Sequence, residues 1–135
     1  MDDAVKSRTG ARSGADPLSV FGELREVEAR SLAGPVLEVQ VESGSELIRE
    51  GEAVGTFFVI RSGNAQLSHE GRTIGSLRAG NCFGEVDPDS QRAQEFGVIA
   101  ISPMRLLTFS ALGIARLCAA FPGMQQRLVA ELPGG

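Results

Sequence analysis

The sequence of 135 residues has no tryptophan, no tyrosine, one histidine and two cysteines. Its only aromatics are seven phenylalanines, so it has little material for the aromatic platforms on which unpaired bases stack. Positive charge is short as well: 13 Lys and Arg stand against 17 Asp and Glu, a net charge of −4. A chain that neutralises nucleic-acid phosphates carries the opposite balance, and no nucleic-acid partner is expected. No apolar run approaches the ~18 residues of a membrane span, and the opening MDDAVKSRTGARSGAD lacks the apolar stretch of a secretory signal. No membrane association is expected, and the expected location is the cytoplasm.

The two cysteines, Cys82 and Cys118, lie far apart with no CxxC or CxxH neighbourhood, the pattern of buried reduced thiols. One histidine, His69, with two scattered cysteines makes too thin a ligand set for zinc, and no third residue orients a Cys–His pair. The phosphate-cradling GxxxxGK[ST], the nucleophile turn GxSxG and the dinucleotide motif GxGxxG are all missing. No catalytic residue, metal or enzyme activity is expected. His69, at a hairpin tip, reads as an exposed loop residue.

What the sequence does have is glycine, 17 residues without a triplet period, in a composition 42% hydrophobic and 22% charged. Such a chain builds a core and turns often. Residues 1–16 are small, polar and mixed in charge, the composition of a disordered tail, and 17–133 form one domain. Apolar residues near a helical period over 18–32 predict a helix, with Asp16 as N-cap and Pro17 at its first position. Short strand-like runs follow at 36–41, 47–51, 56–63, 65–71, 72–77, 82–86, 96–101 and 105–109, each closed by a turn signal. TFFVIRSG is the strongest, rich in β-branched and aromatic residues. After Ser110, a predicted N-cap, the helical period returns in ALGIARLCAAF, and a second helical stretch, GMQQRLVAEL, follows Pro122. Regular short strands between helices predict a mainly β fold, a jelly-roll barrel of about eight strands with the helices segregated to one side.

The spacing of the glycines is more telling than their number. Gly51, Gly63, Gly71 and Gly80 close strands and read as turn residues; Gly84 alone among them has a claim on a ligand. Gly51-Glu52, Phe57-Phe58-Val59-Ile60 before Gly63, the Gly80 turn and Phe83-Gly84-Glu85 occur in order within LIREGEAVGTFFVIRSGNAQLSHEGRTIGSLRAGNCFGEV. The stretch resembles the cyclic nucleotide-binding domain family, the effector domains of catabolite activator protein and of protein kinase A regulatory subunits, over about residues 18–133. The resemblance implies a phosphate-binding cassette that begins at Phe83-Gly84-Glu85. In that family, backbone N–H groups at the start of a short helix and one arginine hold the cyclic phosphate, for the general reasons that such termini carry unpaired donors and guanidinium offers a planar fork. A glutamate accepts the ribose 2′-hydroxyl. Gly84 and Glu85 match those positions, and the implied site comprises Gly84, Glu85, Val86, Arg92, Gln94 and Glu95, with cyclic AMP or cyclic GMP as the ligand.

The second half of the cassette departs from the pattern. Aligning Val98-Ile99-Ala100 with the strand after the cassette puts Gln94 where the arginine belongs and Glu95 at the next, small-residue position. Arg92 lies two residues early, and reaching the phosphate from there needs a compensating bulge. Pro88 removes one N–H donor. Four carboxylates, Glu85, Asp87, Asp89 and Glu95, face one cation, Arg92, in residues 85–95. Like charges ~4 Å apart repel by ~4 kcal/mol at an effective dielectric of 20, so carboxylates turned inward oppose a phosphate.

Two readings follow. In the first, the chain is a stand-alone regulatory sensor that binds a cyclic nucleotide weakly because the cassette arginine is missing. In the second, it is a ligand-free interaction or scaffold module, self-associating or docking on a protein through Leu117, Phe121, Leu128 and Leu132 of the C-terminal helices. The sequence shows no DNA-reading helix-turn-helix after the barrel. Met124, Leu128 and Leu132 form an apolar face that either covers a ligand or packs on the barrel.

Overall fold

A computed structural model describes residues 26–87, 89 and 93–133. Helix α1 (Glu26–Ala33) is followed by β1 (Val36–Val41), β2 (Glu46–Ile48), β3 (Thr56–Ser62), β4 (Ala65–His69), β5 (Arg72–Leu77), β6 (Cys82–Gly84), β7 (Gly97–Ala100) and β8 (Met104–Ser110), then by α2 (Ala111–Ala120) and α3 (Met124–Glu131). The predicted helix over 18–32 is thus seen in its second half; its first half, with Asp16 and Pro17, lies outside the described residues. The strands form two antiparallel four-stranded sheets, ordered β1-β8-β3-β6 and β2-β7-β4-β5.

The strongest strands are strong because both their faces are buried. On β3, Phe57 and Val59 point to the helices, joining Leu107 and Phe109 of β8 and Ile114, Leu117 and Leu128 of α2 and α3. Ile60 and the partly buried Phe58 point the other way, into a second cluster between the sheets with Phe83, Val98, Met104 and Leu106. Two-sided burial replaces the alternation of a half-exposed strand with a nearly continuous apolar run, as TFFVI shows. Phe58 stacks on Phe83 with centroids 4.7 Å apart and 13° between planes, and Phe57 meets Phe109 edge-on at 6.1 Å, both favoured aromatic geometries.

The helices are fixed to the first sheet by local chemistry. Ser110 caps α2, its side chain accepting the Gly113 N–H at 2.9 Å, so one of the unpaired donors of the helix start is satisfied. Helix α3 uses two faces. Met124 and Leu128 are buried in the helix-side core, whereas Gln125 and Val129 lie one residue further round and line a cavity with Leu132.

Burial corrects the proposed docking patch. Leu117 and Leu128 are fully buried, and Leu132 packs partly against the same core. Of the four, only Phe121 is exposed, at 37%. The apolar residues that periodicity offered to a partner are used by the barrel itself, because α2 and α3 close the helix side of the first sheet.

Candidate functional site

The cavity, of about 370 Å³, lies where the end of β6 meets the second sheet and α3. Ile48, Leu67 and Val98 of the second sheet form an apolar floor. Residues Phe83–Asp87 form one wall and Ala93–Phe96 another, and Gln125, Val129, Leu132 and Pro133 close the α3 side. The volume lies within the ~300–1,000 Å³ of small-molecule sites, and the lining is mixed, its apolar floor facing the polar groups of Glu85, Asp87, Gln94, Glu95 and Gln125.

The first wall is set by the way β6 ends. Gly84 has φ +111°, and a Cβ there would lie 2.2 Å from the Thr56 carbonyl oxygen and 3.1 Å from Phe57 Cα. Only glycine lets β6 approach β3 this closely, so the requirement for glycine comes from strand packing and not from the cavity. One residue on, the Glu85 N–H donates to the Thr56 carbonyl at 3.0 Å. The Glu85 side chain is 3% exposed, the only polar or charged residue among the buried described residues. Its Oε2 accepts the N–H groups of Val86 and Asp87, both at 3.2 Å, while the Val86 side chain is buried in the helix-side core.

The second wall is held from outside. Gln94 exchanges two backbone hydrogen bonds with the β2–β3 loop: Gly51 N–H donates to Gln94 O and Gln94 N–H to Glu52 O, both at 2.9 Å. His69 Nδ1 lies 3.1 Å from the Glu95 carbonyl oxygen, and its ring meets Phe96 edge-on with centroids 5.6 Å apart. Nδ1 is also 3.8 Å from Glu50 and Nε2 3.5 Å from Glu70. The hydrogen bond to Glu95 and the Glu70 and Glu50 carboxylates raise the His69 pKa above its ordinary 6.5, against a smaller desolvation effect. His69 does stand at the β4–β5 turn as expected, but it is a half-buried strut behind the wall segment Glu95–Phe96 and not a free loop residue. Glu50 braces the same corner, both its oxygens accepting the Glu70 N–H at 2.8 and 3.0 Å.

Of the implied site, Gly84, Glu85, Val86, Gln94 and Glu95 come together around the cavity; Arg92 lies outside the described residues. The carboxylates divide as the repulsion argument requires. Asp87, Asp89 and Glu95 are exposed, and Asp87 Oδ1 accepts the Asp89 N–H at 2.9 Å. Glu85 alone is turned in. Sequence reasoning missed Gln125 and Val129, which i, i+4 spacing on α3 would have shown, and Pro133 just beyond the end of α3. The cysteines stand apart from the cavity: burial, with Glu131 adding to it, pushes the Cys82 thiol up to about 12, and burial raises Cys118.

Paired antiparallel sheets, a glycine-ended strand opening onto a cavity and a C-terminal helix across it define a mainly β roll with flanking helices. The sequence model of the cyclic nucleotide-binding domain family matches residues 38–121, and the chain belongs to that family. A cAMP-dependent protein kinase regulatory subunit of Yarrowia lipolytica is 29% identical over 100 residues, 73% of this chain and 27% of that subunit. A cGMP-dependent protein kinase of Caenorhabditis briggsae is 34% identical over 64 residues, 47% of this chain and 8% of the kinase. The chain therefore spans about a quarter or less of these relatives' length. Among solved structures, PKAR CBD2 bound to Sp-2Cl-cAMPS shares the fold with a TM-score of 0.69 and 23% identity, over 85% of this chain and 81% of that one. Thermus thermophilus catabolite activator protein gives 0.68 and 21%, over 85% and 55%. These domains regulate rather than catalyse. Among the described residues no helix is long and apolar enough to cross a membrane.

Proposed function

We propose that this domain is a regulatory sensor that takes up cyclic AMP or cyclic GMP weakly in the cavity between β6, the second sheet and α3. One observation carries the reading: the backbone N–H groups of Val86 and Asp87 and the buried Glu85 carboxylate stand side by side on one wall, opposite the cavity face of α3. Anion donors, a hydroxyl acceptor and an apolar cover are the three groups a cyclic phosphate, a ribose and a base need. The affinity is low because the residue at the cassette arginine's position is Gln94, and because the one carboxylate turned in, Glu85, faces no cation among the described lining residues. Losing one charge-assisted hydrogen bond costs roughly 1.5–3 kcal/mol, about one to two decades of affinity.

Calorimetric titration with cyclic AMP, cyclic GMP and linear 5′-AMP tests this. Saturable heat with a cyclic nucleotide and weaker heat with 5′-AMP is expected; no heat at millimolar ligand overturns it. Arg92→Ala then locates the phosphate's contacts: binding at least tenfold weaker assigns the missing arginine's part to Arg92, and unchanged affinity assigns the phosphate to backbone donors alone. The alternative of a ligand-free interaction module is favoured by one observation, that Glu85 already occupies the cassette donors. A silent titration selects it.

A further inference from the structure

The donors that make the cassette wall attractive to an anion are already in use. The Val86 and Asp87 N–H groups both point at Oε2 of Glu85, which is buried at 3% exposure. A carboxylate that accepts two N–H bonds behaves toward them as a phosphate oxygen would, so it and an incoming phosphate compete for the same donors and repel each other. A simple anion that displaces Glu85 leaves a buried carboxylate without these bonds, which is costly. A ligand carrying a hydroxyl next to its phosphate differs, because the displaced carboxylate can accept that hydroxyl.

We propose that Glu85 is an internal anion that closes the cassette to simple phosphates and yields only to a ligand presenting a vicinal hydroxyl with its phosphate, as a ribose 2′-hydroxyl does. The same side chain thereby blocks the ligand-free site and couples phosphate recognition to ribose recognition. This rests on the cyclic nucleotide reading for its ligand, but not for its ligand-free half.

The test has two arms on the full chain. In the ligand-free protein, amide NMR is expected to show the Val86 and Asp87 N–H groups hydrogen-bonded and slow to exchange. Both shift upfield and exchange faster in Glu85→Ala, and to a smaller extent in the isosteric Glu85→Gln, which guards against a misfolded alanine variant. Fast exchange in the wild-type protein, or no response to either substitution, overturns the proposal whether or not any nucleotide binds. In the second arm 2′-deoxy cyclic AMP, which offers no hydroxyl to Glu85, is expected to bind Glu85→Ala about ten- to a hundredfold more tightly than wild type. Cyclic AMP itself gains less, because its hydroxyl loses a partner. Equal or weaker binding of the deoxy ligand by Glu85→Ala overturns the proposal. If neither protein binds any cyclic nucleotide, the sensor reading fails by itself and the amide arm decides the fate of the internal anion.

Discussion

Replacing Gly84 by alanine separates a structural glycine from a ligand-binding one. Gly84 has φ +111°, and the added Cβ would stand 2.2 Å from the Thr56 carbonyl oxygen. Ordinary carbon contacts begin near 3.5 Å, so β6 would have to retreat from β3 by roughly 1 Å. That retreat loosens the pairing of Phe57 with Gly84, Phe58 with Phe83 and Val59 with Cys82, and with it the stacked Phe58–Phe83 pair. Backbone strain of about 1–3 kcal/mol and overpacking of about 1–3 kcal/mol add to about 2–6 kcal/mol. At roughly 4 °C per kcal/mol for a domain of this size, the melting temperature falls by about 8–24 °C. Gly71→Ala is the control: Gly71 has φ +78° but nothing within 4 Å of its added Cβ, so it carries only the left-handed penalty, about 1–2 kcal/mol. Circular dichroism during thermal and urea unfolding measures both. If Gly84→Ala melts no lower than Gly71→Ala, the close approach of β6 to β3 is not what requires glycine.

Three further outcomes are expected. His69 has a pKa raised in the folded state, so its contribution to stability is fully present below about pH 6.5, the unfolded value, and is lost as pH rises through the higher folded value; amide exchange at Glu95 and Phe96 should quicken over that window, and His69→Gln should flatten the response. Cys82, buried with its thiol pushed up to about 12, should resist thiol reagents at neutral pH until the protein unfolds, and rapid native-state labelling at Cys82 would contradict its burial. Leu128→Ala empties a fully buried site and should cost about 2–5 kcal/mol; Val129→Ala, on the cavity face, should leave stability within about 1 kcal/mol while altering ligand affinity, and equal destabilisation by the two would contradict the division of α3 into two faces.

The strands were legible because their chemistry is local. A β-branched and aromatic run such as TFFVI, closed by glycine, announces a strand buried on both faces, and Ser110 before ALGIARL announces a cap. The order of Gly51, Gly63, Gly80 and Phe83-Gly84-Glu85 carried the family. The remainder depends on contacts between distant residues. That His69 braces Glu95 is a contact across 26 residues, and the exposed-loop reading followed from its neighbours Glu70 and Gly71 alone. That Leu117 and Leu128 are covered could not be read from helical periodicity, which gives an apolar face but not what lies against it. Glu85 was legible as a residue with a role in the site, but its grip on Val86 and Asp87 depends on a burial that only the packing of β6 on β3 creates. The sequence's clearest departure from the resemblance is Gln94, which the alignment of Val98-Ile99-Ala100 puts where the cassette arginine belongs; the structure adds that backbone bonds to Gly51 and Glu52 hold this segment.

The most direct measurement of ligand uptake is amide NMR of the full chain during titration with cyclic AMP and, separately, cyclic GMP. A weak sensor gives saturable shifts at Gly84, Glu85, Val86 and Asp87, and at Val129 and Leu132 across the cavity, with half-saturation at least about tenfold weaker than a site with an intact phosphate–arginine contact. No movement at these amides at millimolar ligand contradicts cyclic nucleotide binding in this cavity.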